Sequence, residues 1–198
     1  MKLRKVLTAV LAVALLFSLS ACAGTAETDL TGEWKGTVDI SAHLSDIPGL
    51  SETPSGITFD LIFVFGEDGT FESIIDQYSV RLMVDKLLDM VAAALSETAQ
   101  SKDISEQELR KILESAVDTD QIVASVRDSL QNGYYLHQNG VIYLSAQNDL
   151  AENPTENAQE HLEISVSGDM LTVNQIITDN YQHDQMIGGV LPLTFYRQ

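Results

Sequence analysis

The sequence predicts an α+β protein: an antiparallel eight-stranded β-barrel or strongly curved sheet, with a three-helix insert between strands 3 and 4. Apolar and polar residues alternate with strand period early in the chain and again late. Between these parts, over about residues 78–131, apolar residues recur every three or four positions, which is typical of amphipathic helices. The length of 198 residues suits one domain, which we place at residues 31–198.

Residues 1–21 have the composition of a signal peptide. Three basic residues lie in the first five positions, and residues 6–17 are apolar except for Thr8. This run is shorter than the roughly 20 apolar residues that a membrane-spanning helix needs. A short apolar run behind a basic start instead indicates export from the cytoplasm.

The signal ends in Leu19-Ser20-Ala21-Cys22, which resembles the lipobox of bacterial lipoproteins. The resemblance implies cleavage between Ala21 and Cys22 and a diacylglycerol on Cys22. Residues 22–30 would then be a short lipidated tether, and the protein would lie outside the cytoplasm, anchored to the bacterial cell membrane. Cys22 is also the only cysteine, so a disulfide within the chain is excluded.

The charge of the chain is strongly negative. It carries 11 basic and 29 acidic residues, a net charge of −18, and removal of the three basic residues in the signal leaves −21. Nucleic-acid phosphates and anionic lipid headgroups both repel such a surface. We therefore expect no nucleic-acid partner and no polybasic docking on a membrane.

The first three strands follow from alternation and from turn residues. One face of the first strand carries Trp34, Gly36, Val38 and Ile40, and one face of the second carries Ile57, Phe59, Leu61, Phe63 and Phe65. Residues 66–69, Gly-Glu-Asp-Gly, are typical of a hairpin turn. The residues from Phe71 to Ile75 are predicted to return as the third strand.

Three helices are predicted after the third strand. The first runs from about Tyr78 to Glu97 on the strength of its apolar stripe. Ser105 and Glu108 have the spacing of a capping box and open the second helix, and Asp118 opens the third. Asn132-Gly133 is interpreted as the stop of the last helix.

Strand period returns after the helices. Asn139-Gly140 is a strong hairpin signal between strands at Tyr134–His137 and Val141–Ser145. Residues 147–160 are polar and are predicted to form a loop, and residues 167–169 form a turn between two further strands. The last strand follows Gly188-Gly189.

Several of these features together resemble the lipocalin-like families of secreted and lipoprotein domains. They are the meander of eight strands, Gly32-Glu33-Trp34 at its start, the Asp-Gly hairpin and Arg197 in the last strand. The resemblance implies that Trp34 plugs the closed end of a barrel and that Arg197 crosses over it. It also implies binding of small apolar molecules inside the barrel. The helical insert departs from the family pattern.

The sequence lacks the common catalytic and metal-binding motifs. Ser-x-x-Lys, Gly-x-Ser-x-Gly, Gly-x-Gly and His-Glu-x-x-His do not occur. The four histidines lie more than five residues apart, so they lack the local spacing of zinc ligands. We therefore expect no enzyme activity, no metal site and no cofactor.

Two kinds of non-catalytic binding remain open. In the first, Phe63, Met83, Leu87 and Met90 line a pocket for a small apolar ligand between the sheet and the helices. In the second, the core is filled and the domain binds a protein partner or serves the cell envelope. Tyr134, Tyr135 and Tyr143 around the Asn-Gly hairpin would then form the contact surface.

Overall fold

The computed structural model describes residues 28–44, 54–99, 104–128, 130, 132–178 and 190–198. Within these ranges the chain forms an α+β structure in which eight antiparallel strands close into one barrel, accompanied by four α-helices. The strands are β1 (Gly32–Asp39), β2 (Thr58–Phe65), β3 (Thr70–Ile75), β4 (Asn132–Gln138), β5 (Val141–Ser145), β6 (Glu160–Ser167), β7 (Met170–Thr178) and β8 (Leu193–Arg197). The helices are α1 (Gln77–Ala99), α2 (Glu106–Ala116), α3 (Thr119–Asp128) and α4 (Pro154–Asn157).

Each strand pairs with the next along the chain, and β8 closes the barrel against β1. Trp34 of β1 is the register partner of both Phe63 on β2 and Arg197 on β8. The predicted eight-stranded antiparallel barrel is thereby confirmed. The element order also places α1, α2 and α3 between β3 and β4.

The seam between β3 and β4 accommodates the helices. Among the described residues, Thr70, Phe71 and Glu72 are the residues of β3 with register partners on β4. The chain leaves the sheet after Ile75, forms three helices and returns at Asn132.

The Asn132-Gly133 pair does not stop a helix, contrary to the prediction. Helix α3 ends at Asp128, and both residues lie in β4. A Cβ at position 133 would come within 2.2 Å of the carbonyl oxygen of Ser145 on the neighbouring strand. Glycine stands there because the backbone of β5 occupies the space of a side chain.

Helix α4 lies in the segment predicted as a loop. Pro154 stands at its start, where proline's fixed backbone suits a first helical turn. The side chain of Asn157 donates a hydrogen bond of 2.8 Å to the carbonyl oxygen of Asp149. A single turn of this length has too few residues to show a helical period in the sequence.

Large apolar side chains pack together inside the barrel. Trp34, Phe65, Ile142, Leu171 and Phe195 are almost completely buried there. They belong to one apolar cluster, the barrel core, to which all eight strands contribute residues. The contribution of β3 is Phe71.

A second apolar cluster, the helix layer, joins α1 and α3 to the barrel. Its buried members are Ile57, Ile75, Val80, Met83, Val84, Leu88 and Val123. Residues Ile40, Phe59 and Leu61 touch both clusters. They lie toward the end where β1 finishes and β2 begins, so the helix layer caps that end of the barrel.

The predicted starts of α2 and α3 are confirmed by their caps. The Ser105 hydroxyl accepts from the Glu108 amide at 3.3 Å, and the Glu108 carboxylate accepts from the Ser105 amide at 2.9 Å. Asp118 accepts from the amide of Gln121 at 3.0 Å. These bonds satisfy backbone amides that have no partner within a helix.

Helix α2 is the least embedded of the three inserted helices and has no buried residue. Arg110 fastens it to α1 through Asp89 at 2.6 Å and Asp85 at 3.3 Å, and it also pairs with Glu114 at 2.9 Å. Among the described helices, none combines the length and apolar character that crossing a bilayer requires.

Candidate functional site

One end of the barrel is closed by Trp34 and Arg197. Trp34 is 0% exposed, and its indole Nε1 donates a 2.6 Å hydrogen bond to the carbonyl oxygen of Leu30. The guanidinium carbon of Arg197 lies 4.3 Å from the centre of the indole ring. A cation over an aromatic face is stabilising by about 0.5–2 kcal/mol. The structure thus brings together the two residues expected to meet, and we name this the closed end.

The closed end also holds the segment that precedes β1. The Arg197 guanidinium donates to the carbonyl oxygens of Thr31 and of Asp29, the latter at 2.8 Å. His137 Nδ1 lies 3.2 Å from the carbonyl oxygen of Thr28. Residues 28–31 are therefore bound to the barrel by contacts from two different strands.

The four residues expected to line a ligand pocket do not form one group. Phe63 lies in the barrel core, with its ring stacked 4.5 Å from that of Phe195. Met83, Leu87 and Met90 belong to the helix layer, and Met83 is buried within it. The space between Phe63 and these three residues is bridged by side chains such as Leu61, which touches both clusters.

The three predicted contact tyrosines point in different directions. Tyr135 faces the interior, where its ring lies 4.8 Å from that of Phe65, and burial raises the pKa of its hydroxyl. Tyr134 and Tyr143 alternate with inward residues of β4 and β5, so they face outward, half-buried. The expectation of one tyrosine surface is therefore wrong for Tyr135, because strand pleating turns adjacent side chains to opposite faces.

Tyr143 has a neighbour that the sequence did not reveal. The ring of His161 lies 5.0 Å from it in an edge-on arrangement. His161 is half-buried in this contact.

A stripe of four apolar residues and one lysine crosses the outside of the barrel over five neighbouring strands. Its members are Met170, Tyr196, Lys35, Ile62 and Ile74, each the register partner of the next. Tyr196 is 57% exposed, and Met170 and Ile74 are also exposed. We call this stripe the outer band.

Carboxylates flank the outer band on both sides. On one side of the band, Val64 of β2 is the register partner of both Glu33 on β1 and Glu72 on β3. Both glutamates are exposed. On the other side, Asp60 accepts a 2.8 Å contact from Lys35, and this hydrogen bond lowers the pKa of Asp60. Lys35, the one cation of the outer band, is therefore already paired with Asp60.

The sequence reasoning missed the outer band. The signal was present, because Ile62, Ile74 and Tyr196 stand at positions that alternation assigns to the outside. Which of these residues lie side by side depends on strand register, and the alternating pattern does not specify register between strands.

An open groove of about 460 Å³ separates α1 from α2. Its lining is Asp89, Ala92, Glu106, Gln107, Arg110, Lys111 and Glu114. Charges of both signs line this groove, so it does not suit an apolar ligand. Within the described residues, no three histidine, cysteine or carboxylate side chains converge as metal ligands would.

The fold defines an α+β protein with a closed eight-stranded antiparallel barrel, an apolar core inside it and a capping helix layer. A comparison with family models, curated proteins and solved structures finds no match to this chain. The expected lipidation and cleavage residues, Cys22 and Ala21, lie outside the described residues.

Proposed function

We propose that this protein is an extracytoplasmic bacterial lipoprotein whose barrel is a non-catalytic binding module for a protein partner. The support for the anchor is the N-terminal pattern, a basic start, a short apolar run and Leu19-Ser20-Ala21-Cys22. A dual acyl anchor holds a domain stably at a membrane, at about 0.8 kcal/mol per buried CH₂ group.

The barrel is proposed to be lipocalin-like. The support is the meander of eight strands in a closed barrel and the stacking of Arg197 over Trp34. The three inserted helices set it apart from a plain barrel of that kind. They cap the end through which a ligand would enter.

The observation that carries the partner-binding proposal is the contrast between the interior and the outer band. Inside, aromatic rings pack on one another: Phe63 stacks on Phe195 at 4.5 Å and meets Phe71 edge-on at 5.5 Å. An eight-stranded barrel has an interior just wide enough for its own side chains to fill. Outside, the outer band exposes Met170, Tyr196 and Ile74 on three of its five strands, so binding is proposed to occur there.

The flanking charges specify the chemistry of the partner. Glu33 and Glu72 on one side and Asp76 on the other, next to the Lys35–Asp60 pair, border the outer band. A complementary surface presents apolar side chains bordered by lysine or arginine. We therefore propose a partner with a basic, apolar-centred surface in the same compartment.

Site-specific cross-linking tests this proposal. A photoreactive amino acid replacing Tyr196, at the middle of the outer band, is expected to capture a defined partner in intact cells. The matched control replaces Ile177, which is 44% exposed on β7 outside the band. The purified complex should weaken several-fold between low and physiological salt, because the flanking charges are screened.

Two results would contradict the outer band as the contact surface. One is equal capture from positions 196 and 177. The other is a Tyr196→Asp variant that binds the purified partner as tightly as the unchanged protein does, since a buried unpaired carboxylate costs binding energy.

A second candidate function is binding of a small apolar ligand between the sheet and the inserted helices. It is favoured by the position of Leu87 and Met90, which are half-buried in the helix layer. Methionine adapts its shape to varied ligands.

Native mass spectrometry distinguishes the second candidate. The domain of residues 23–198 is incubated with extract of its own organism. The second candidate function predicts that it then carries one bound small molecule per chain. In a Leu87→Trp variant the larger side chain takes the place proposed for the ligand. This variant should lose the adduct while remaining folded by circular dichroism. An apo mass for the unchanged domain would remove the ligand proposal.

A further inference from the structure

We infer that the closed end of the barrel is the surface that faces the membrane and that the helix layer faces away from it. This orientation rests on the proposed lipid anchor at Cys22. It follows from how residues 28–31 are fastened, from the length of chain between them and the anchor, and from the charge of the domain.

Residues 28–31 are fixed to the barrel rather than being part of the tether. Arg197 binds the carbonyl oxygens of Asp29 and Thr31, and Trp34 binds that of Leu30. Leu30 itself is 2% exposed within the barrel core. Freeing this segment would expose Leu30 and leave three donor groups without their partners, so the tether cannot lengthen at its expense.

The chain between the anchor and this fixed segment is short. Six residue steps separate Cys22 from Thr28. At no more than about 3.6 Å per step, the reach is at most ~22 Å. The closed end therefore stays within about one barrel height of the bilayer, however the tether is arranged.

The opposite end is farther away. The eight residues of β1 run from the closed end toward the helix layer. A strand rises about 3.4 Å per residue, and barrel strands tilt by roughly 35–45°, so the helix layer begins about 20 Å above the closed end. In this orientation, α1 and α2 face away from the membrane. They carry the exposed apolar side chains Tyr78, Leu82 and Ile112.

Electrostatics holds the domain upright on a bilayer that contains anionic lipid. The chain carries a net charge of −18, and of −21 without the three basic residues of the signal. Repulsion from anionic headgroups pushes such a domain away as far as the tether permits, within the Debye length of about 8 Å. The point of attachment, at Thr28, then becomes the part nearest the lipid.

Energy transfer to a membrane dye tests the orientation. Full-length lipidated protein is placed in vesicles of phosphatidylcholine with phosphatidylglycerol, and a donor dye is attached to an introduced cysteine. Ser167→Cys reports the closed end, and Ser115→Cys on α2 reports the helix layer; both serines are exposed. Cys22 is the only native cysteine, and its thiol is blocked by the acyl chain in the anchored protein.

The donor at position 167 is expected to transfer energy several-fold more efficiently than the donor at position 115. Equal efficiencies, or greater efficiency at position 115, would overturn the orientation while leaving the lipid anchor intact. Mass spectrometry of the same samples separates the two ideas. A mature protein without the diacylglycerol mass overturns the anchor, and the orientation with it.

Discussion

Replacing Trp34 by alanine is expected to lower the free energy of unfolding by about 3–5 kcal/mol, the cost typical of removing a large buried aromatic side chain. The indole is 0% exposed in the barrel core, so its removal leaves a cavity next to residues that cannot collapse freely. Packing in a closed barrel limits such relaxation because each strand is bonded on both sides.

Two further losses add to the cavity. The Leu30 carbonyl oxygen loses the donor at 2.6 Å, and the guanidinium of Arg197 loses the ring beneath it. A buried acceptor without a partner costs about 1–3 kcal/mol. The loss of unfolding free energy given above already includes part of this cost. Where residues 28–31 loosen, water can reach the Leu30 carbonyl oxygen and replace the lost donor.

Urea denaturation followed by circular dichroism measures this effect. The matched control is Tyr196→Ala on the neighbouring strand, whose ring is exposed on the outer band. Its removal should change stability by less than ~1 kcal/mol, as expected for surface positions. If Trp34→Ala also costs less than ~1 kcal/mol, the indole is not a core residue and the role of a barrel plug is excluded.

Replacing Cys22 by alanine is expected to abolish lipid attachment and to leave the precursor uncleaved. Diacylglycerol is attached through the thiol, and alanine has no nucleophile to accept it. The protein would keep residues 1–21, and its mass would exceed that of the processed form by the mass of the signal less that of the lipid.

Metabolic labelling with a fatty acid and intact-mass measurement test this expectation. Thr25→Ala, three residues farther along the proposed tether, serves as the control and should be processed normally. A Cys22→Ala protein that is still cleaved at the same place would show a plain secretory signal and remove the lipobox interpretation.

The sequence predicted the framework of this fold because the framework depends on local periodicity. The alternation around Trp34 and Phe63 and the turn at Asn139-Gly140 each act over a few residues. In the structure Asn139 and Gly140 have positive φ values of 54° and 77°, which the tight hairpin turn requires. The helix start at Ser105 was equally local, since a capping box spans four residues.

Tertiary contacts decided the features that local patterns left open. Gly133 ended in a strand because the carbonyl oxygen of Ser145 lies where its side chain would be, and Ser145 is twelve residues away. Tyr135 turned inward because its strand is paired with Leu144 of β5 at a buried position. The residues next to Gly133 and Tyr135 in the sequence do not show that Ser145 and Leu144 are their neighbours in the barrel.

By itself, the sequence determined the eight-strand meander, the three-helix insert and the N-terminal pattern, because each is written in short runs of neighbouring residues. Only the tertiary structure decided that Phe63 and Met83 belong to separate clusters and that Tyr196, Lys35 and Ile62 lie side by side. The physical reason is that register and closure are set by hydrogen bonds between distant strands. Those bonds determine which alternating side chains become neighbours.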